Sequence, residues 1–224
     1  MEEKKIPTTV EEILYWKSKK SELNVEKNNQ EYTEKCGGEK VTDVLFSFLS
    51  IYAIGVWVYN KDNKDLFSVS NKIWVKKVKN KKRNQILCSK DFLKKIQSNA
   101  IAGIKVNELN EDLKDYASVY FDVGNLIPLW PGGNTMKGNQ NNGFMDVPEL
   151  FFCKFYEWYQ ILSKRDDAYL DDMTKYLEDN KSACENLETF LNSVNTKEKY
   201  KKYIEHVVTI IKNRTKEIEQ SLGI

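Results

Sequence analysis

At 224 residues, with 35 lysines and arginines against 33 aspartates and glutamates, the chain has a formal charge of +2 and is long enough to bury a sizeable core without staples. Its four cysteines, Cys36, Cys88, Cys153 and Cys184, share no paired spacing, which speaks against a zinc knuckle or a disulfide framework and predicts reduced thiols. The acidic, polar start MEEKKIPTTVEE lacks the basic and apolar blocks of a secretory signal, so a cytoplasmic protein is expected.

In chain order, Thr9 with Glu12 three residues later forms a capping-box pattern that opens a first helix, in which Val10, Ile13, Leu14 and Leu23 give a partial apolar stripe. A polar stretch follows and closes at Gly37 and Gly38. Thr42 or Asp43 is then the expected cap of a buried helix over Val44 to Val58, passing into a strand near Gly55. That run is too short and too interrupted by Ser47, Ser50 and Gly55 to span a bilayer. Asn60 to Lys64 reads as a turn, and valine and isoleucine among lysines between Leu66 and Leu87 predict a small β-hairpin. A helix is expected to open at Ser89 and Asp91.

Tyr120 to Pro148 holds five of the ten glycines and three of the four prolines, and reads as one long loop. Beyond it, Leu150 to Leu162 is apolar nearly all round and predicts a central helix, with Lys154, Glu157 and Gln160 as its polar stripe. Three further helices are expected, over Asp167 to Glu178, Ala183 to Val194 and Thr196 to Leu222. The fold class that results is mainly α: a single helical domain over 1–224 with a long Gly/Asn-rich loop and a small β-hairpin. Within it, 1–40 is an N-terminal helix and polar loop, 41–119 a basic half, 120–148 the loop and 149–224 a helical half.

Charge is uneven: residues 1–35, 36–105 and 106–224 carry −1, +9 and −6, which sum to +2. The basic tract Lys72 to Lys95 includes Lys76, Lys77, Lys81, Lys82 and Arg83, with Trp74 interleaved and Asp91 as its one acid. Cations beside a stacking ring form a candidate surface for RNA or DNA through residues 72–95, although lysine favours point-charge contact over base reading. A solvated face accounts for the same residues equally well, and the tract could also meet an acidic protein.

The loop supplies a second candidate surface in Trp130, Asn134, Met136, Lys137 and Phe144. Its glycines do not form a phosphate-binding signature, because Gly138 and Asn139 are followed by Gln140 where a lysine and a hydroxyl are needed. Asparagines that cap helix ends are the simpler account of this composition. His206, the one histidine, cannot build a multi-histidine metal site, and a partly buried structural role on the last helix is expected. The acidic run Asp166, Asp167, Asp171 and Asp172 fits a solvated first helical turn better than a metal cluster.

Asp43 to Trp57 (DVLFSFLSIYAIGVW) and Val123 to Trp158, with its GNLIPLWPGGN and FFCKFYEWY, resemble a loosely defined family of uncharacterised bacterial proteins. The resemblance implies a helical domain without an assigned activity. VGNLIPLWPGGNTMKGN is also similar to the turn after the HNH motif of some restriction-type nucleases. No histidine precedes it here, so that likeness implies a fold without the catalytic metal residues.

These features together lead to the expectation of a non-catalytic interaction protein, without cofactor or metal, that engages a protein or nucleoprotein complex. A phage or mobile-element inhibitor of a bacterial defence complex is one subtype. Two alternatives stay open: an enzyme acting on a phosphate-bearing substrate, with Lys137 holding the anion and Asp122 or Asp146 as acid, base or metal ligand, and a plain nucleic-acid-binding protein. Nothing in the pattern predicts contact with a membrane.

Overall fold

The computed structural model describes residues 6–19, 41–62, 75–77, 84–86, 106–129, 137, 146–162 and 187–223. Helix α1, Val10–Lys19, begins as its capping box requires. The Glu12 N–H donates to Thr9 Oγ1 at 3.2 Å, while Glu12 Oε2 accepts from the N–H groups of Thr8 and Thr9 at 2.9 and 3.2 Å. Val10, Ile13 and Leu14 are buried, as their spacing implies.

The next segment departs from expectation. Val41–Val44 is a strand, β1, and not the start of a helix, so neither Thr42 nor Asp43 is a cap. Its β-branched residues pair antiparallel with Leu126–Leu129, from Val41 opposite Leu129 to Val44 opposite Leu126. Helix α2 follows over Phe48–Asn60, with Ser47 in extended geometry before it. It continues through Gly55 without turning into a strand. Tyr200 and Leu109 pack against the missing side chain, and a Cβ there would lie 2.7 Å from the Tyr200 hydroxyl. Every residue from Ser50 to Asn60 is buried, which makes α2 the central helix.

The hairpin read from the sequence is present. Strand β2, Val75–Lys77, pairs antiparallel with β3, Asn84–Ile86, with Lys76 opposite Gln85 and Lys77 opposite Asn84. Two short helices, α3 (Asn107–Asp112) and α4 (Lys114–Val119), then precede a single 3-10 turn at Val123–Asn125 and strand β4, Leu126–Leu129. The start of the expected 120–148 loop is thus ordered secondary structure. Helix α5 spans Pro148–Leu162 with proline in its first turn, where a missing N–H costs nothing. Its Leu150, Phe151, Phe152 and Phe155 are buried while Glu157 is exposed.

Helices α6, Leu187–Ser193, and α7, Lys197–Leu222, complete the described chain. Thr196 caps α7 by accepting from the Lys199 N–H at 3.2 Å, and Gly223 ends it with φ of 69°. The helices expected at Asp91 and over 167–178 lie outside the described residues. The architecture is mainly α, and among the described residues no helix is long and apolar enough to cross a membrane.

The core is aromatic. Phe48 stacks on Tyr116 at 5.6 Å and meets Tyr120 edge-on at 5.4 Å. Buried tyrosine hydroxyls need acceptors, and two find main-chain carbonyls: Tyr116 donates to Phe46 O at 2.9 Å and Tyr200 to Ile51 O at 2.8 Å. Burial pushes both hydroxyls far above the ordinary tyrosine range, so they stay protonated donors.

Helix α7 lies against the 3-10 turn so closely that Gly124 admits no side chain. A Cβ at Gly124 would sit 2.6 Å from the Thr215 backbone nitrogen, and the Gly124 N–H donates to Thr215 Oγ1 at 3.0 Å. Gly124→Ala is therefore expected to destabilise the protein by about 2–3 kcal/mol, because backbone must move to admit one methyl group. Urea unfolding followed by circular dichroism checks this; an unchanged midpoint would remove the close approach as a constraint.

Candidate functional site

The region where β1, β4 and the start of α2 meet is organised by Asn125, which is fully buried. Its side-chain oxygen accepts from the Phe46 N–H at 2.9 Å, and its amide donates to Tyr120 O at 2.8 Å and Phe46 O at 3.4 Å. The Asn125 carbonyl accepts from the Leu45 N–H at 2.6 Å. One amide therefore ties residues 45–46 to the segment that begins β4.

That last bond also fixes the parity of the two-stranded ribbon. Opposed pairs in an antiparallel ladder alternate between bonded and non-bonded. With 45 opposite 125 bonded, 43 opposite 127 and 41 opposite 129 are bonded too, while Val44, Leu126, Thr42 and Pro128 turn their backbone groups outward. Both outward carbonyls at the core end are held by cations. Lys137 Nζ donates to Val44 O, and Arg214 donates to Gly124 O and, at 3.2 Å, to Leu126 O.

Lys137 was expected on a binding loop, facing an outside anion. It is instead fully buried, 3.2 Å from Asp146 Oδ1 and 5.2 Å from the centre of the Phe151 ring. Asp146, the other candidate of that loop, is held from three directions: its N–H donates to Ser50 Oγ at 2.9 Å, its carbonyl accepts from the Ser47 N–H at 3.3 Å, and its carboxylate faces Lys137. The ion pair joins two residues of the loop region, Lys137 fully buried and Asp146 partly exposed, and the Asp146 main chain ties it to the start of α2. A charge so placed is tolerated because a carboxylate, a carbonyl and a ring face all surround it.

Asp122 lies apart from that pair, just ahead of the 3-10 turn and beside Glu219 and Lys212 of α7. Desolvation chiefly, and Glu219 next, raise its carboxyl above the ordinary 3.8, with Lys212 opposing. A further cluster joins α2, α3 and α7, and the sequence reading missed it. Asp112 accepts from the Tyr59 hydroxyl and pairs with Lys201 at 3.1 Å, while Lys197 pairs with Glu108 at 2.6 Å and lies 4.7 Å over the Tyr59 ring. Residues 59, 112 and 201 share no local pattern that would have linked them.

His206 is exposed on α7, correcting the partly buried role expected of it, since its position falls outside the apolar stripe of Tyr200, Ile204, Val207 and Ile211. Among the described residues no group of three or more histidines, cysteines, aspartates and glutamates is placed to hold a metal ion. Of the remaining candidates, Lys76 and Lys77 lie on β2. Trp74, Lys81, Lys82, Arg83, Trp130, Asn134, Met136 and Phe144 lie outside the described residues, as does the acidic run at 166–172.

The register of β2 and β3 nevertheless constrains the basic tract. Lys77 stands opposite Asn84, and six residues, 78–83, separate the two in the sequence. Four of these six are Lys79, Lys81, Lys82 and Arg83. No family model, no curated protein and no solved structure matches this chain.

Two outcomes are expected from these sites. Lys137→Met should cost about 3 kcal/mol by stranding the Asp146 carboxylate, and adding Asp146→Asn should recover most of it; chemical unfolding of the full cycle measures this, and additive losses would show that the two charges do not interact. For Asp122 the folded state favours the protonated acid, so this group's contribution is fully present below its unfolded value and is lost as pH rises through the raised folded value. Asp122→Asn should accordingly raise the melting temperature slightly at pH 7, with the gain vanishing on acidification towards the ordinary 3.8; a gain that persists at low pH would point to another cause.

Proposed function

We propose that this chain is a non-catalytic interaction protein whose basic β2–β3 hairpin docks on a polyanionic partner, a protein or nucleoprotein complex. The observation that carries the reading is the antiparallel register that sets Lys77 against Asn84. In the sequence, Lys76, Lys77, Lys79, Lys81, Lys82 and Arg83 all fall within the twelve residues 75–86, which contain no acid. Such a concentration repels itself and raises the local potential, and a polyanion relieves both effects. Five of the six are lysines, which meet phosphates or carboxylates as point charges without a required geometry. The proposed contact is accordingly one of charge and shape more than of base sequence.

The buried state of Lys137 supports this reading over the phosphate-handling alternative, which needs that ammonium outside. An inhibitor of a bacterial defence nucleoprotein complex is the narrowest form of the proposal and rests on the sequence likeness described above.

The test is fluorescence anisotropy with labelled single- and double-stranded RNA and DNA across a salt series, comparing the protein with a Lys76→Glu, Lys77→Glu, Lys81→Glu, Lys82→Glu variant. About five phosphate contacts to duplex DNA give a slope of log affinity against log salt near roughly −4.5, and the variant should flatten it. A flat response in the unmodified protein would turn the proposal to acidic proteins as direct partners. Equal binding by variant and wild type, to nucleic acid and to an acidic protein such as a polyglutamate-tagged probe, would sink the hairpin as the docking surface.

A further inference from the structure

We draw no further inference here: the strongest candidate, the lysine cluster at the corner between α6 and α7 formed by Lys61, Lys197, Lys199 and Lys201, is taken up within the fold by Glu108, Asp112 and the carbonyls of Asn192 and Asn195, and among the described residues nothing beside it points to a ligand.

Discussion

The structure depends on one buried amide. Asn125 closes the chain between Tyr120 and β4 and at the same time accepts and donates to the backbone of Leu45 and Phe46, so the ribbon, the entry to α2 and the exit of α4 share one set of hydrogen bonds. An amide suits this position because it supplies both donors and an acceptor from one side chain. A carboxylate there would lack the donors, and an aliphatic residue would take away the side-chain partners of the Phe46 N–H and of Tyr120 O. Gly124, directly before it, lets Ile211 and Thr215 of α7 approach the turn closely.

Around this junction the core is built from aromatic rings whose polar ends are tied to main chain. Tyr116 reaches Phe46 O and Tyr200 reaches Ile51 O, so the two tyrosines fasten the segment just ahead of α2 and its first turn. Gly55 lets Tyr200 and Leu109 meet the helix where a side chain would keep them off. The result is a central helix buried along its length, which explains why its sequence shows no polar face.

The cations of the described chain divide by what they meet. Lys137 and Arg214 complete backbone carbonyls at the ribbon, and Lys197 and Lys201 meet carboxylates of α3 beside Tyr59. These charges are engaged within the fold and contribute little to an outside partner. The β2–β3 tract differs, since its sequence holds no acid between Val75 and Ile86. Formal charge along the chain therefore says less about binding than the location of each counter-charge does.

The sequence by itself determined the mainly helical class, the capping box of α1, the extent of α7 from its Thr196 cap to Gly223, and the existence of the hairpin. Each of these is written in residues within a turn or two of one another, where spacing and capping chemistry act directly. Tertiary structure decided that Val41–Val44 is a strand, because its partner lies more than eighty residues away and β-branched residues beside a helix start are locally ambiguous. It also decided that Lys137 faces inward, that His206 faces out, and that Tyr59, Asp112 and Lys201 form one cluster. A lysine in a polar loop reads as solvated until a carboxylate and a carbonyl are brought to it. Only the packing of distant segments does that, and no local pattern records it.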